Sequence, residues 1–133
     1  MSLSYPIGDL LARIRNGQRA YKPSVRAPYS KLAANVLDVM KAEGFITDFR
    51  KEDLGDNKFD VIVDLKYVAG GEGAIQELSL VSKPGRRVYS NVAKMPRVMN
   101  GLGVLIVSTP GGIMTDHQAR MQNIGGEVIC KIV

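Results

Sequence analysis

The run Gly70-Gly71-Glu72-Gly73 separates two halves of different texture, and it limits the fold more than any other feature of the sequence. Ahead of it lie two helical periods and a long alternating stretch. Behind it, glycine and proline recur so often that only short elements fit between them. Pro6 stands at a first helical position and is followed by Ile7, Leu10, Leu11 and Ile14, the i, i+3, i+4, i+7 set of an amphipathic helix ending near Gly17. Val25 and Ala27 predict a short strand closed by Pro28. Ser30 is an N-cap for a second helix carrying Ala33, Val36, Leu37 and Met40 and stopped by Gly44. Phe45 to Phe49 reads as a strand and Asp53 to Asn57 as a turn. Phe59, Val61, Val63, Leu65 and Tyr67 then alternate with Asp60, Asp64 and Lys66, as a strand with one buried face requires.

In the second half we expect strands near Ala74 to Ser82 and Arg87 to Tyr89, a short helix around Met95 to Asn100, and strands Val104 to Val107 and Glu127 to Val133. Thr115 with Gln118 three positions on makes a capping box for a short helix through Met121. The expected fold is α+β: an N-terminal helix-strand-helix-strand-strand domain (1–69), a glycine linker (70–73) and a strand-rich C-terminal domain with short helices (74–133).

Charge is segregated along the chain. No acid falls between Asp9 and Asp38, where Arg13, Arg15, Arg19, Lys22, Arg26 and Lys31 lie. A second acid-free span, from Glu77 to Asp116, holds Lys83, Arg86, Arg87, Lys94 and Arg97, whereas residues 38–64 carry eight acids against four bases. With a formal net charge of +5, this pattern points to a polyanionic partner.

Enzymatic chemistry finds little support. His117 is the only histidine, and a general base needs a positioned partner, so it reads as a surface residue. Cys130, the only cysteine, lies in an apolar alternating strand and reads as a buried structural thiol. One cysteine excludes both an internal disulfide and a thiolate metal cluster, and the carboxylates of residues 38–64 read as an outward strand face. The segment GLGVLIVSTPGG lacks the Lys-Ser/Thr ending of a phosphate loop, and its glycines precede a strand. No apolar run approaches the roughly 18 residues of a spanning helix. The start MSLSYPIGDLL lacks a basic leader and a cleavage pattern, so the expectation is an unexported, cytoplasmic protein without catalytic residues, cofactor or metal.

Two turns remain. In VSKPGRRVY, residues 81–89, Pro84-Gly85 would place Lys83, Arg86 and Arg87 around a tip with Tyr89 on the outgoing strand. Cations beside an aromatic ring suit phosphates and unpaired bases; the same residues would also serve a solvated hairpin with a core tyrosine. The turn STPGG, residues 108–112, offers two hydroxyls and accessible backbone, as many turns do.

The collinear order of PIGDLLARIRNG (6–17), EGFI (43–46), VSKPGRRVY (81–89), GLG (101–103), VSTPGGIMTDHQAR (107–120) and GGEVIC (125–130) resembles the bacterial family of the eighth protein of the small ribosomal subunit, over essentially all 133 residues. The resemblance implies a two-domain α+β fold and a structural constituent of the small subunit. It implies direct docking on the central domain of small-subunit ribosomal RNA early in assembly, without catalysis or cofactor. Implied partners are neighbouring small-subunit proteins, the fifth and the twelfth, and the protein's own operon messenger RNA. A generic basic RNA-binding protein, a messenger regulator and a small glycine-loop enzyme are the alternatives.

Carried onto matching positions, the resemblance implies that Ser108, Thr109 and Gly112 approach RNA, with Thr115, Arg120, Gly126 and Glu127 flanking or shaping that surface. Arg86, Arg87 and Tyr89 contribute from the neighbouring loop, and Arg13, Arg15 and Asn16 from the first helix. Lys31, in the first acid-free segment, joins them. Pro110 and Gly111 stand where Ser and Lys are common, which removes a hydroxyl, a backbone donor and a phosphate-binding charge from the turn. His117 stands where a base is frequent, and Tyr5 where an Asp able to cap the first helix is frequent.

Overall fold

The computed structural model describes residues 6–98 and 102–133. The architecture is α+β with antiparallel sheets, and the chain divides into two compact units between Ile75 and Gln76.

In the first unit, α1 (Pro6–Arg19) and α2 (Lys31–Ala42) pack on a three-stranded sheet of order β1-β3-β2, formed by β1 (Ser24–Pro28), β2 (Ile46–Gly55) and β3 (Lys58–Leu65). The periodic residues Ile7, Leu10, Leu11 and Ile14 are buried, as are Ala33, Val36, Leu37 and Met40 of α2 and Val61 and Val63 of β3. Ser30 caps α2 by accepting from the Ala33 N–H at 3.0 Å, a contact of a kind that contributes about 1 kcal/mol. On the opposite sheet face, Ile62 lies between Arg26 and Arg50 in register. Arg26 pairs with Glu52 (2.8 Å) and Asp60 (3.3 Å), and Arg50 with Asp64 (3.2 Å), so ion pairs roof this face. The Arg26 guanidinium, by hydrogen bonding, holds the Glu52 carboxyl below its usual range.

Two expectations shift here. Strand β2 continues to Gly55, and the turn shrinks to Asp56-Asn57, both at positive φ (52° and 58°), the backbone that suits a right-twisted hairpin. The stretch 70–73 lies inside the first unit: the Val68 N–H bonds to the Glu72 carbonyl (2.8 Å), that of Gly71 to Val68 (3.0 Å), and that of Ala74 to Lys66 (2.9 Å). The Gln18 amide then grips Ile75 twice, donating to its carbonyl (2.6 Å) and accepting from its N–H (3.2 Å). The division therefore falls after Ile75, beyond the glycines.

The second unit is built on a five-stranded antiparallel sheet of β4 (Leu78–Leu80), β5 (Tyr89–Ser90), β6 (Val104–Thr109), β7 (Gly112–Thr115) and β8 (Gly126–Ile132), with α3 (Asp116–Gln122) between β7 and β8. Its order is β4-β8-β6-β7, and β5 lies end to end with β4 along the same edge of β8. Met95, Val98, Leu105, Val107, Met114, Ala119 and Val128 form a core cluster. The expected strand 74–82 is reduced to three residues because the N–H groups of Gln76 and Glu77 share the Val133 carbonyl, and those of Val81 and Ser82 share that of Ile129, which breaks the ladder at both ends. The expected strand 87–89 becomes Tyr89–Ser90, since the Val88 N–H turns to the Ser82 hydroxyl (3.2 Å). Where a helix is expected over 95–100, residues 95–98 carry no helix; the rest of that stretch, and Tyr5, lie outside the described residues.

Candidate nucleic-acid interface

In the second unit, a two-residue turn joins β6 to β7. Pro110 supplies a fixed φ at its corner, and Gly112 follows at φ 118°, where a side chain would be strained. The Thr109 hydroxyl clamps this turn, donating to the Gly112 carbonyl (2.8 Å) and accepting from the Gly111 N–H (3.1 Å). Ser108 pairs with Glu127 across β6 and β8, and on the other side of β8 Glu127 pairs with Tyr89. The register thus brings Tyr89, Glu127, Ser108 and Gly126 to one end of the sheet. There a shallow hollow is lined by Tyr89, Ser90, Asn91, Pro110, Gly125 and Gly126. A Cβ on Gly126 would collide with the Ser108 carbonyl oxygen, and one on Gly125 with that of Ser90. Close backbone approach is what these two glycines supply.

The basic loop is a tight turn around Pro84-Gly85, closed by reciprocal bonds between Lys83 and Arg86 (3.0 and 2.9 Å). Lys83 and Arg86 are exposed, and Tyr89 is 70% exposed at the rim of the hollow. That exposure excludes the alternative of a core tyrosine. Arg87 pairs with Glu127 (3.2 Å). Glu127 also accepts from the fully buried Ser82 hydroxyl (2.5 Å), the group that receives the Val88 N–H. Ser82 therefore ties the basic loop to β8, a role no local motif signals.

Thr115 and Arg120 are structural braces. Thr115, 2% exposed, completes the capping box with Gln118. Arg120 pairs with the buried Asp116 (2.6 Å) and donates to the carbonyls of Met95 (3.2 Å) and Pro96 (2.7 Å). Burial pushes the Cys130 thiol up to about 12, so a thiolate nucleophile does not form near neutrality. Among the described residues no group of three or more His, Cys, Asp or Glu is placed to hold a metal, and no helix is long and apolar enough to cross a membrane.

In the first unit, Arg13, Asn16, Lys22 and Arg26 line an open groove between α1 and β1. Arg13 braces it, donating to the Arg26 carbonyl (2.7 Å) and pairing with Asp9 (3.1 Å). Arg15, Asn16 and Lys31 are exposed.

The family model described as "Ribosomal protein S8" matches residues 5–133. The chain belongs to the ribosomal protein S8 family. It is 52% identical over 132 residues to the small ribosomal subunit protein uS8 of Rhizobium rhizogenes and to that of Sinorhizobium medicae, and 54% identical to that of Bartonella quintana. Each alignment covers 99% of this chain and 99% of its relative. The S8 family is structural, and its members are not enzymes. Its fold here brings the hydroxyl turn, the Gly125-Gly126 pair and Tyr89 to one sheet end, with Ser90 and Asn91 as the lining residues that lie outside the sequence motifs and Ser82 anchoring the basic loop from within one.

Proposed function

We propose that this S8-family chain is a constituent of the small ribosomal subunit that docks on the central domain of small-subunit ribosomal RNA and helps to assemble it. The observation that carries this reading is the hollow at the end of the second sheet, where exposed Tyr89 stands beside closely approached backbone and the β6–β7 turn. Lys83 and Arg86 would anchor phosphates, while Tyr89 would stack on an unpaired base or ribose. The rigid turn and the glycine backbone would fit an irregular, widened RNA groove that plain A-form duplex does not present. Arg13, Arg15, Asn16 and Lys31 would add a second contact from the first unit. Neighbouring small-subunit proteins, the fifth and the twelfth, and the chain's own messenger RNA belong to the same proposal.

The test is binding of the purified protein to a central-domain hairpin and to a regular duplex of equal length across a salt series. Selective binding that survives physiological salt supports the proposal. Equal, steeply salt-sensitive binding to both would leave only a generic basic RNA-binding protein. Arg86→Ala is expected to weaken binding to both RNAs and to lower the salt slope by about one for the lost phosphate contact; an unchanged slope removes Arg86 from the phosphate ligands. Thr109→Ala, which unclamps the turn, is expected to lower affinity for the hairpin more than for the duplex. Equal loss on both would discard its role in discrimination.

A further inference from the structure

Helices α1, α2 and α3 end in the same way. After α2, the Gly44 N–H bonds to the Lys41 carbonyl (3.1 Å) and that of Phe45 to Met40 (2.9 Å). After α3, the Asn123 N–H bonds to Arg120 (3.1 Å) and that of Ile124 to Ala119 (3.0 Å). After α1, the Tyr21 N–H bonds to Gln18 (3.0 Å) and that of Lys22 to Gly17 (3.0 Å). This termination needs one residue in the left-handed region, ordinarily Gly and sometimes Asn. Gly44 (φ 83°) and Asn123 (φ 57°) conform, whereas the third such position holds a tyrosine at φ 56°. A bulky residue there is strained, and burial does not compensate it, since Tyr21 is 71% exposed.

The ring is nonetheless held in place. It stacks on Tyr67 with centroids 6.1 Å apart and planes at 26°, and the Tyr67 hydroxyl is anchored to the Lys22 carbonyl (2.6 Å). Tyr21 stays 71% exposed despite this contact, so ring surface remains accessible to a planar ligand. Arg19 and Lys22 beside it are exposed, and no acid occurs between Asp9 and Asp38. Ala20 and Lys22 line the groove that also holds Arg13 and Asn16.

We propose that Tyr21 is a base-stacking platform at the end of this basic groove, taking an unpaired nucleobase of RNA whose phosphates run past Arg19 and Lys22. The proposal rests on the RNA-docking reading and adds to it a stacking residue in the first unit. A pre-positioned ring loses little freedom on binding, and base–aromatic stacking tolerates any base, so this contact supplies affinity more than sequence choice.

The test uses the full-length protein and an in vitro transcript of the whole central domain of small-subunit ribosomal RNA. Tyr21→Asn removes the ring but keeps a residue that tolerates the left-handed backbone, so folding is retained and a thermal melt verifies it. It is expected to weaken binding about ten-fold without changing the salt slope, because no phosphate contact is lost. Tyr21→Phe is expected to bind as the wild type does. The chain contains no tryptophan, so Tyr21→Trp introduces a single indole whose emission is expected to be quenched on adding the transcript. Unaltered affinity in Tyr21→Asn with an unquenched indole, while the wild type binds tightly, overturns the platform and leaves the docking reading intact. A reduced salt slope in Tyr21→Asn, or quenching by small-subunit proteins but not by RNA, also overturns it. Failure of the wild type to bind the transcript overturns the docking reading, and the platform with it.

Discussion

Replacing Asp116 by alanine is expected to destabilise the second unit by about 3–5 kcal/mol, the usual cost of leaving a buried charge without its partner. Asp116 is 4% exposed, and its carboxylate accepts from the Leu105 N–H (3.1 Å) and pairs with Arg120 (2.6 Å). Arg120 in turn holds the Met95 and Pro96 carbonyls. A single side chain thus joins the start of β6, helix α3 and the segment packed over the core. Alanine strands a guanidinium whose side chain is only 16% exposed and leaves a buried N–H bare. Against a typical stability of about 5–15 kcal/mol, such a loss is large. Urea unfolding should show a lower midpoint at a similar slope, and the double variant Asp116→Ala, Arg120→Met should recover part of the loss by removing the orphaned charge. A loss below about 1 kcal/mol, the scale of an exposed ion pair, would mean that this pair is solvated and not a brace.

Gly126→Ala is expected to cost about 2–3 kcal/mol, as overpacking of a close-packed site does. The new Cβ would meet the Ser108 carbonyl oxygen, with the Ser108 carbonyl carbon at 2.8 Å and the Thr109 Cα at 3.1 Å. All three atoms are backbone, so no rotamer relieves the overlap, and β6 and β8 must part at the end that carries the hydroxyl turn. Hairpin affinity should therefore fall together with the melting temperature. Gly85→Ala is the control: nothing lies within 4 Å of its Cβ position, and its φ is not positive, so stability should be unchanged or slightly raised. Equal melting temperatures and equal hairpin binding for both variants would remove Gly126 from the account of the site.

How much of the site was legible follows the same physical division. Tyr89, Ser108 and Gly126 stand in separate motifs, and only antiparallel pairing with β8 brings them to one end of a sheet. The basic residues divide further. Arg86 is exposed at a turn tip, as Pro84-Gly85 predicted, but Arg87 pairs with Glu127 forty positions away, and Arg120 is drawn into a buried brace. Ser82 stands in the VSKPGRRVY stretch, but its burial under the loop and its bond to Glu127 had no local signature.

By itself, the sequence determined whatever depends on near neighbours along the chain: the apolar stripe Ile7, Leu10, Leu11 and Ile14, the Ser30 cap, the Thr115–Gln118 capping box, the alternation of β3 and the Pro84-Gly85 turn. These features lie within a few residues of one another, where propensity, capping and periodicity act. The tertiary structure alone decided how short β4 and β5 are, that the glycine stretch closes the first unit and that Tyr21 is held open on Tyr67. It also decided which cations stay exposed and which become braces. Each of these outcomes depends on register, burial or an ion partner supplied by a segment that meets it only when the chain folds.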